Sequence, residues 1–315
     1  SKWMGIDTTL HKDIPYEGSN KRFMTGWLNE VLRPLEKAGV DFWWLDWQQW
    51  LNDKKFKNLS NTWWINYCVF SDMLYHRWGG LGNHRYQIGF SGDAVISWKS
   101  LEFQPYFNST ASNVLYCYWS HDIGGHMGAN SIDPEMYVRW MQFGLFSPIL
   151  RSHSTKNAGL NKEPWVFSYP VTRMLRDIVK TRYALNPYIY TMARKTYDEA
   201  LPLCRPMYYD YADSQEAYEQ KDEYMFGDNM IVRPVTAPLQ GAKATQAVWL
   251  PKGTDWYEVA SGKLLKGGQT VNNGFHLDEI PVYVKAGSVI PMYGDTLKNL
   301  RGNDNPVIVN VYPAS

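Results

Sequence analysis

The sequence has almost no net charge and no long hydrophobic run. Its 32 basic and 31 acidic side chains leave a formal charge of +1 over 315 residues. A chain with so little excess charge lacks the basic face that binds nucleic acids or an acidic membrane surface. No apolar stretch reaches the length of a membrane span, and no signal peptide opens the sequence. We therefore expect neither a nucleic acid nor a membrane as a partner.

Cysteine is also scarce. The three cysteines, Cys68, Cys117 and Cys204, are odd in number and far apart. This spacing argues against a disulfide framework and against a zinc cluster, and we expect no metal and no cofactor. The compartment stays open between secreted, periplasmic and cytoplasmic, because many secreted bacterial enzymes also lack disulfides. Nothing in the sequence indicates an oligomeric state.

Aromatic residues, by contrast, are abundant. They make up 16% of the chain and include 15 tryptophans. Most of these rings are expected to pack in a hydrophobic core, Trp249 and Trp256 among them. Stacking on the faces of sugar rings is a second use of such side chains, and composition leaves both uses open.

The stretch GVDFWWLDWQQW, residues 39–50, places Asp46 among four tryptophans. Its apolar run is too short for a helix and is typical of a strand buried on both faces. A helical pattern precedes it, and Gly39 stands where a helix C-cap is expected. Asp46 would then follow the carboxyl end of a strand, where α/β folds place their functional residues.

Helical and strand-like segments alternate from about residue 20 to residue 200. Helices are predicted at residues 20–37, 59–73, 98–111, 133–145 and 168–200. Strands are predicted at residues 40–46, 74–77, 114–119 and 146–150. This order is typical of parallel β/α units.

The pattern changes near residue 203, where short β-like runs with frequent glycines and turns begin. They predict an antiparallel β-sandwich. We expect an α/β fold: part of a (β/α)8 TIM barrel at residues 1–202, then a β-sandwich at 203–297. Residues 298–315 would be a tail or the start of a further β domain. Only about four or five barrel strands are recognisable where eight are needed, so we expect an incomplete barrel with exposed apolar faces.

Three further stretches resemble the setting of Asp46. GFSGD ends in Asp93, YWSHDIGG contains Asp122, and FGLFSPILRSHS carries Arg151 and His153. Glycine lets a backbone approach a ligand closely, and aromatic neighbours desolvate a carboxylate. Carboxylates at several strand ends can meet in one pocket. Enzymes that cleave glycosides with retention use two of them, about 5–5.5 Å apart.

The ordered motifs WWLDW, FSGD, SHDIGGH and QFGLFSPILRSHS, followed by a predicted sandwich, resemble glycoside hydrolase family 31. The resemblance covers residues 3–295. It implies a (β/α)8 barrel that cleaves α-glycosides with retention of configuration and needs no metal. The leading expectation is an exo-acting α-glycosidase that removes terminal α-glucosyl residues from an oligosaccharide or glycoside. α-Xylosidase, α-galactosidase-type and α-transglucosylase activities stay open, as does a non-catalytic carbohydrate-binding fragment.

The resemblance also implies roles, position by position. Asp46 corresponds to the catalytic nucleophile and Asp93 to the general acid/base. Arg77, in HRWGG, corresponds to the arginine that binds the sugar. Asp122 and His153 correspond to residues that hold sugar hydroxyls. The positions that line the pocket in the family are occupied here by Trp44, Phe90, Trp119 and Arg151.

The sequence departs from the family pattern at three places. The common W-x-D-x-x-E segment reads here Asp46-Trp47-Gln48-Gln49, which changes charge and shape beside the expected nucleophile. The link around residues 73–74 is short against the family pattern. The upstream segment that supplies another sugar-binding aspartate is absent. A preference for glucose therefore does not follow from the motifs.

Structural roles compete with the assignments of the charged residues. Asp122 would, as a structural carboxylate, accept hydrogen bonds from the backbone N–H groups of Gly124 and Gly125. Arg77 would, in a structural network, pair with Asp122 or Asp93. We favour the sugar-binding role for both side chains.

The histidines also have alternative roles. His153 would, on the structural alternative, be a core histidine with satisfied ring nitrogens. His121 and His126 flank Asp122 and suggest a metal site. We reject the metal hypothesis, because no third ligand follows at zinc spacing.

Overall fold

The computed structural model describes residues 1–10, 13–46, 50–70, 73–294, 300 and 306–314. Within these residues the chain folds as two compact units, residues 1–92 and residues 93–315. The departure from the family pattern at Trp47, Gln48 and Gln49 lies outside the described residues. None of the helices in the described ranges is long and apolar enough to cross a membrane.

The first unit begins with one continuous helical segment, as predicted for residues 20–37. It consists of α1 (Lys21–Trp27), a π-helical turn (Leu28–Leu32) and α2 (Arg33–Lys37). The Asn20 side chain caps its start by accepting the Arg22 N–H at 2.9 Å. Gly39 follows its last turn with a φ of 117°, which confirms the expected C-cap.

The other helices of the first unit are short. α3 (Asn61–Val69) is capped by the Ser60 side chain, and 3-10 turns occur at Thr8–Leu10 and Asn83–Arg85. The predicted helix over residues 59–73 is therefore shorter than expected. It ends because Phe70 has an extended ψ of 123°.

A parallel sheet forms in the first unit from β1 (Trp43–Leu45), β2 (Leu74–Arg77) and β3 (Ile88–Phe90). β2 lies in the middle, with Trp44 opposite Tyr75 and Arg77 opposite Phe90. The prediction for residues 74–77 is confirmed to the residue. Strand β3 was not among the predicted strands, because its three residues include Gly89 and carry little strand pattern.

The expectation that residues 40–46 are buried on both faces is wrong. Val40, Phe42 and Trp44 have exposed fractions of 36%, 48% and 40%. Within the described part of the first unit, β1 pairs only with β2, so no strand lies along its other edge. The expected exposure of apolar barrel surface is thereby confirmed at this strand.

The second unit opens with a helical region that ends near residue 200. Its helices are α4 (Trp98–Thr110), α5 (Pro134–Leu145), α6 (Tyr169–Ala184) and α7 (Asn186–Glu199), with 3-10 turns at Ala111–Val114, Ala158–Leu160 and Pro164–Val166. The single helix predicted over residues 168–200 is two helices. Pro187, the second residue of α7, has no N–H to continue α6 across Leu185.

Two predicted strands of the second unit are mostly irregular. Of residues 114–119, only Trp119 belongs to a strand, β4 (Trp119–Ser120), because Leu115 adopts a left-handed φ of 64°. Residues 146–150 form no strand: Ser147 closes a turn, and Pro148 has no N–H for a ladder. A parallel bridge between Ser120 and Ile149 is what remains of the predicted pairing.

Residues beyond 203 form antiparallel sheets, as predicted. A six-stranded sheet has the order β10-β9-β12-β7-β6-β5, and the pairs β8–β11 and β13–β14 form two further sheets. The strands are β5 (Cys204–Pro206), β6 (Tyr224–Phe226), β7 (Met230–Val232), β8 (Ala244–Leu250), β9 (Trp256–Glu258), β10 (Leu264–Leu265), β11 (Gln269–Phe275), β12 (Val282–Lys285), β13 (Ser288–Tyr293) and β14 (Val307–Tyr312). A 3-10 turn at Met207–Tyr209 and helix α8 (Gln215–Glu219) follow β5.

Trp249 and Trp256 lie in the core between these sheets, as expected, with exposed fractions of 6% and 0%. Before residue 200, the described part of the chain contains four short strands, β1 to β4, so the barrel is incomplete. The domain boundaries at 202 and 297 stay predictions. Part of the predicted tail, residues 307–312, is strand β14 paired with β13.

Arg139 joins the helical region of the second unit to its sheets. This α5 side chain has no exposed surface. Its guanidinium donates to the carbonyl of Glu279 at 2.9 Å and to that of His276 at 3.0 Å, and it also contacts the Gln142 side chain at 3.0 Å. Burial lowers the pKa of Arg139 to about 10, so it stays charged at neutral pH.

We expect Arg139→Met to lower the free energy of unfolding by about 3–5 kcal/mol, because it leaves buried carbonyls without donors. Urea unfolding followed by tryptophan fluorescence measures this loss. Arg176→Met is the matched control. Arg176 lies on α6, its side chain is 57% exposed, and it forms an ion pair with the exposed Asp177. Its loss should stay below about 0.5 kcal/mol. Equal losses in both variants would contradict the role of Arg139.

Candidate active site

Asp46 and Arg77 meet at the carboxyl ends of neighbouring strands in the first unit. Asp46 follows β1, and Arg77 is the last residue of β2. The parallel register places Leu45 opposite His76, so the next residues, Asp46 and Arg77, are neighbours. Arg77 Nη1 donates to Asp46 Oδ1 at 2.9 Å, and both side chains are largely buried. Arg77 thus pairs with Asp46, whereas the structural alternative named Asp122 or Asp93 as its partner.

Three aromatic rings pack against one another near this ion pair, and one of them contacts Arg77. Trp44 lies 5.7 Å from Phe90 and 5.6 Å from Tyr75 between ring centroids, and Tyr75 lies 5.3 Å from Phe90. The Arg77 guanidinium lies 5.7 Å above the Phe90 ring. Of the predicted lining residues, Phe90 therefore contacts Arg77 and Trp44 packs against Phe90. Tyr75 was missed, although the two-residue period of a strand places it on the same face as Arg77.

Buried groups fix the position of Arg77 from behind. His76 has no exposed surface, and its Nδ1 lies 3.1 Å from Asn66 Nδ2, which donates to Asn83 Oδ1 at 3.0 Å. Gly92, at the end of this unit, leaves room for the guanidinium. A Cβ at residue 92 would lie 2.7 Å from Arg77 Nη2. Glycine is favoured at this position of the SGD motif because residue 92 has a left-handed φ of 83°, and a side chain there would also displace the guanidinium.

In the second unit, two chain segments run side by side and bring Asp122 to Arg151. Ile123 is bridged in parallel to Ser152, and the Ile123 N–H donates to the Arg151 carbonyl at 3.1 Å. Arg151 Nη2 donates to Asp122 Oδ1. The Gly125 N–H donates to the backbone carbonyl of Asp122. The Asp122 carboxylate is thus paired with Arg151, whereas the structural alternative paired it with glycine N–H groups.

Asp122 is 1% exposed, and its environment shifts its pKa. Burial is the largest cause and raises the pKa to about 6. The neighbouring Arg151 and His126 act in the opposite direction, and the negative charge of Asp93 raises the pKa further. Asp93, the first residue of the second unit and half-buried, is therefore near enough to Asp122 to influence its charge.

Of the histidines that flank Asp122, only His126 turns toward its carboxylate. His121 is fully buried, with Nδ1 2.7 Å from Gln104 Oε1 and Nε2 3.2 Å from Asn108 Oδ1. Burial lowers the pKa of His121 to about 3, so it is a neutral core histidine. His126 Nδ1 instead lies 3.8 Å from Asp122 Oδ2.

His153 stands next to His126. The two imidazole rings stack with centroids 4.7 Å apart and planes 22° apart. The sequence assigned a sugar contact to His153 and none to His126. The sequence signal for His126 was its place in HDIGGH, four residues after Asp122.

Lys162 holds the two segments of this site together, and the sequence did not indicate it. Its Nζ donates to the carbonyls of His153, at 2.6 Å, and Gly125. The side chain packs so closely that a Cβ at Gly124 would lie 2.6 Å from Lys162 Cε. Burial lowers the pKa of Lys162 to about 8. A lysine is normally exposed, so its residue type gives no warning of such a position.

Trp119, the remaining predicted lining residue, packs in a hydrophobic cluster. Its ring contacts Phe107 at 5.2 Å and Tyr116 at 5.0 Å between centroids, and 2% of its surface is exposed. This is the environment of a core residue. A contact between Trp119 and sugar stays a prediction.

Comparison with known proteins identifies the family. Residues 14–192 match the model of the TIM-barrel domain of glycosyl hydrolases family 31, and residues 200–290 match the C-terminal domain of that family. The chain belongs to glycoside hydrolase family 31. The resemblance carried by the four motifs is thereby confirmed, as is the order of a barrel domain followed by a β domain.

Members of family 31 with different substrates resemble the chain to a similar degree. It is 34% identical over 231 residues to an α-xylosidase of Saccharolobus solfataricus, which covers 72% of the chain and 30% of that relative. It is 35% identical over 215 residues to the mouse neutral α-glucosidase C, and this match covers 67% of the chain and 23% of that relative. The chain therefore spans less than a third of these relatives.

Solved family 31 structures share the fold. The Flavobacterium johnsoniae dextranase complexed with glucose has a TM-score of 0.83 at 26% identity, covering 96% of this chain and 42% of that one. The cycloalternan-forming enzyme of Listeria monocytogenes, in complex with a pentasaccharide, has a TM-score of 0.80 at 26% identity, covering 94% and 31%. Both of these family 31 neighbours bind sugars.

We expect Asp122→Asn to change how stability depends on pH. Because burial raises the folded-state pKa to about 6 from an ordinary 3.8, the folded chain retains a proton that the unfolded chain releases in this interval. The stability contributed by Asp122 is therefore complete below pH 4 and falls, by up to about 3 kcal/mol, as the pH rises through 6. Urea unfolding of both proteins at pH 4, 5, 6 and 7 measures it.

The sign of the effect makes this test specific. The free energy of unfolding of the wild type minus that of Asp122→Asn should fall between pH 4 and pH 7. Asp213→Asn, which changes an exposed carboxylate of the same unit, should give a nearly constant difference. A difference for Asp122→Asn that rises with pH would mean that the Arg151 contact outweighs burial.

Proposed function

We propose that the chain carries the active-site machinery of a retaining, exo-acting α-glycosidase that hydrolyses terminal α-linked glucosyl or related residues. The observation that carries the proposal is the Asp46–Arg77 pair at two adjacent strand ends of a family 31 barrel domain. The exposed ring of Trp44, which packs against the buried rings of Tyr75 and Phe90, offers apolar surface to a sugar ring.

In the proposed mechanism, Asp46 is the nucleophile and Asp93 the acid/base. Asp46 attacks the anomeric carbon while Asp93 protonates the leaving oxygen, which gives a glycosyl ester on Asp46. Asp93 then deprotonates a water molecule that hydrolyses the ester, and net configuration is retained. Retention requires the two carboxyl groups to be about 5–5.5 Å apart, and this separation is a prediction of the proposal.

Arg77 would bind the sugar, as the resemblance implies, and would also position the nucleophile. It donates to Asp46 Oδ1, which restricts the rotation of the carboxylate. The buried network of His76, Asn66 and Asn83 keeps β2 in place behind it. Such preorganisation is needed because attack depends on the orientation of the reacting atoms.

Asp122, Arg151 and His153 would bind hydroxyl groups of the sugar. A pyranose in a closed pocket needs a partner for each buried hydroxyl, because an unsatisfied polar group is costly. Asp122 offers acceptors, Arg151 donors and His153 a ring nitrogen of either kind. Their joint placement by the parallel segments of the second unit supports this role.

An α-xylosidase is the second candidate, because an α-xylosidase and an α-glucosidase are almost equally similar to the chain. The two substrates differ by the hydroxymethyl group at C5 of the ring. Assays of the full protein with matched aryl α-glucoside and aryl α-xyloside substrates distinguish them by the ratio of kcat/KM values. A transglucosylase would instead show product transfer to added sugar acceptors, and a non-catalytic fragment would bind sugar without turnover.

We expect Asp46→Ala to lower kcat on an aryl α-glycoside by on the order of 10⁴-fold, because it removes the atom that forms the covalent intermediate. Steady-state kinetics on the full protein measures the loss. Asp41→Ala is the matched control, since Asp41 is exposed and lies in the same segment. Turnover of Asp46→Ala within a few-fold of wild type would eliminate Asp46 as nucleophile.

We expect the loss of activity caused by Asp93→Ala to depend on the leaving group of the substrate. A disaccharide needs proton donation to its leaving oxygen, whereas a nitrophenyl leaving group does not. The loss in kcat/KM should therefore be on the order of 100-fold larger for the disaccharide than for the nitrophenyl glycoside. Added azide should restore turnover of the nitrophenyl glycoside and yield an α-glycosyl azide. Equal losses on both substrates would argue against the acid/base role.

A further inference from the structure

We propose that Asp122, His126 and His153 form a binding site for a divalent transition-metal cation such as Zn²⁺, and that this cation competes with the sugar. One ligand atom from each side chain lies within 4.8 Å of the others. Asp122 is buried, and the two histidines are half-buried. All three residues belong to the second unit, and the parallel segments that carry Asp122 and His153 are bridged directly.

The distance between Asp122 and His126 fits a shared cation better than a hydrogen bond. Oδ2 and Nδ1 are 3.8 Å apart, which is too long for a hydrogen bond. Two ligands held about 2.0–2.2 Å from a tetrahedral zinc ion lie about 3.4 Å apart, so a small shift is enough. In the described part of the structure, both atoms are buried without a hydrogen-bond partner. Such atoms need a partner of opposite polarity, and a cation supplies one to both.

The groups around these three side chains have the arrangement of an outer metal shell. Arg151 occupies Oδ1 of Asp122 and directs the other oxygen, Oδ2, toward the histidines. A carboxylate ligand is typically held in this way through its second oxygen. Lys162 clamps the backbone of His153 and Gly125, which limits the movement of both segments. The backbone beside His126 and His153 is therefore held in place before any cation arrives, and the ligand atoms, which lie within 4.8 Å of one another, have to close on the cation by side-chain movement.

The donor set selects the cation. Two imidazoles and one carboxylate suit Zn²⁺, Ni²⁺ or Cu²⁺, whereas Mg²⁺ and Ca²⁺ prefer six or more oxygen ligands. A single anionic ligand that is already paired with Arg151 makes the site weaker than a structural zinc site. The sequence argument against a metal site considered local spacing alone, whereas His153 comes from the neighbouring segment.

Competition follows from the proposed function, on which this part of the inference rests. Asp122 and His153 are the residues proposed to hold sugar hydroxyls, so they cannot serve a cation and a sugar at once. Binding of the cation itself does not depend on that assignment. The two parts are therefore separable by experiment.

Isothermal titration of Zn²⁺ into the chelator-treated full protein tests the cation site. Wild type should bind one Zn²⁺ through this cluster. His126→Phe, which keeps a ring to stack on His153, should weaken that binding by at least about tenfold. His126→Gln is a second variant for the same purpose if His126→Phe fails to fold, as judged by circular dichroism. His276→Phe, a change to an exposed histidine of the sandwich, should bind like wild type.

Cobalt gives an independent signature. Co²⁺ added to wild type should produce intense visible absorption of a four-coordinate site, and the variants at residue 126 should lose it. Mg²⁺ should not displace the cobalt. Equal zinc affinity in wild type and both His126 variants would overturn the proposal, as would absence of binding to wild type.

Titration in the presence of glucose or xylose separates the two parts of the inference. An apparent zinc affinity that falls as the sugar concentration rises supports shared use of Asp122 and His153. Zinc binding that needs His126 but ignores both sugars would leave the cation site standing and would overturn the competition and the sugar contacts proposed for these residues.

Discussion

The second unit is organised around a negative charge that has no access to water. The carboxylate of Asp122 is almost fully buried, and an isolated charge in such a place is prohibitively unfavourable. Arg151 makes it tolerable, and this requires residues 120–123 and 149–152 to run in parallel at a fixed register. The same register sets His153 beside His126, so the position of every polar group in this cluster follows from one compensated charge.

The two units hold their candidate-site residues in place by different kinds of hydrogen bond. In the first unit, uncharged side chains do this: Asn66 and Asn83 enclose His76 directly before Arg77. In the second unit, the buried ammonium group of Lys162 holds the segments together by donating to two backbone carbonyls. The amide network is indifferent to pH near neutrality. The ammonium group, whose pKa burial lowers to about 8, is sensitive to mildly alkaline conditions.

Much of the framework could be predicted from the sequence, and the failures have physical causes. Strand β2 and helix α5 were predicted within one residue, because hydrophobic pattern and capping residues agree there. Strand β3 and the irregular residues 146–150 were not, because a central glycine and a proline alter local pairing. Asp46 and Arg77 were selected from ordered motifs and lie together at neighbouring strand ends, while their roles stay predictions. Lys162 was not, since its burial depends on tertiary contacts that its neighbours in sequence do not reveal.

The contacts of Arg139 bear on how a protein of this family can change over evolution. Its guanidinium reaches from α5 to backbone carbonyls at the end of strand β11 and just after it. Acceptors of this kind depend on the path of the main chain and not on side-chain identity, so sequence drift in the sandwich is tolerated there. Exchange of the whole sandwich for a foreign domain is not, unless the replacement presents carbonyls at the same points. The sandwich can therefore diverge in sequence, but it has to be inherited together with this barrel portion.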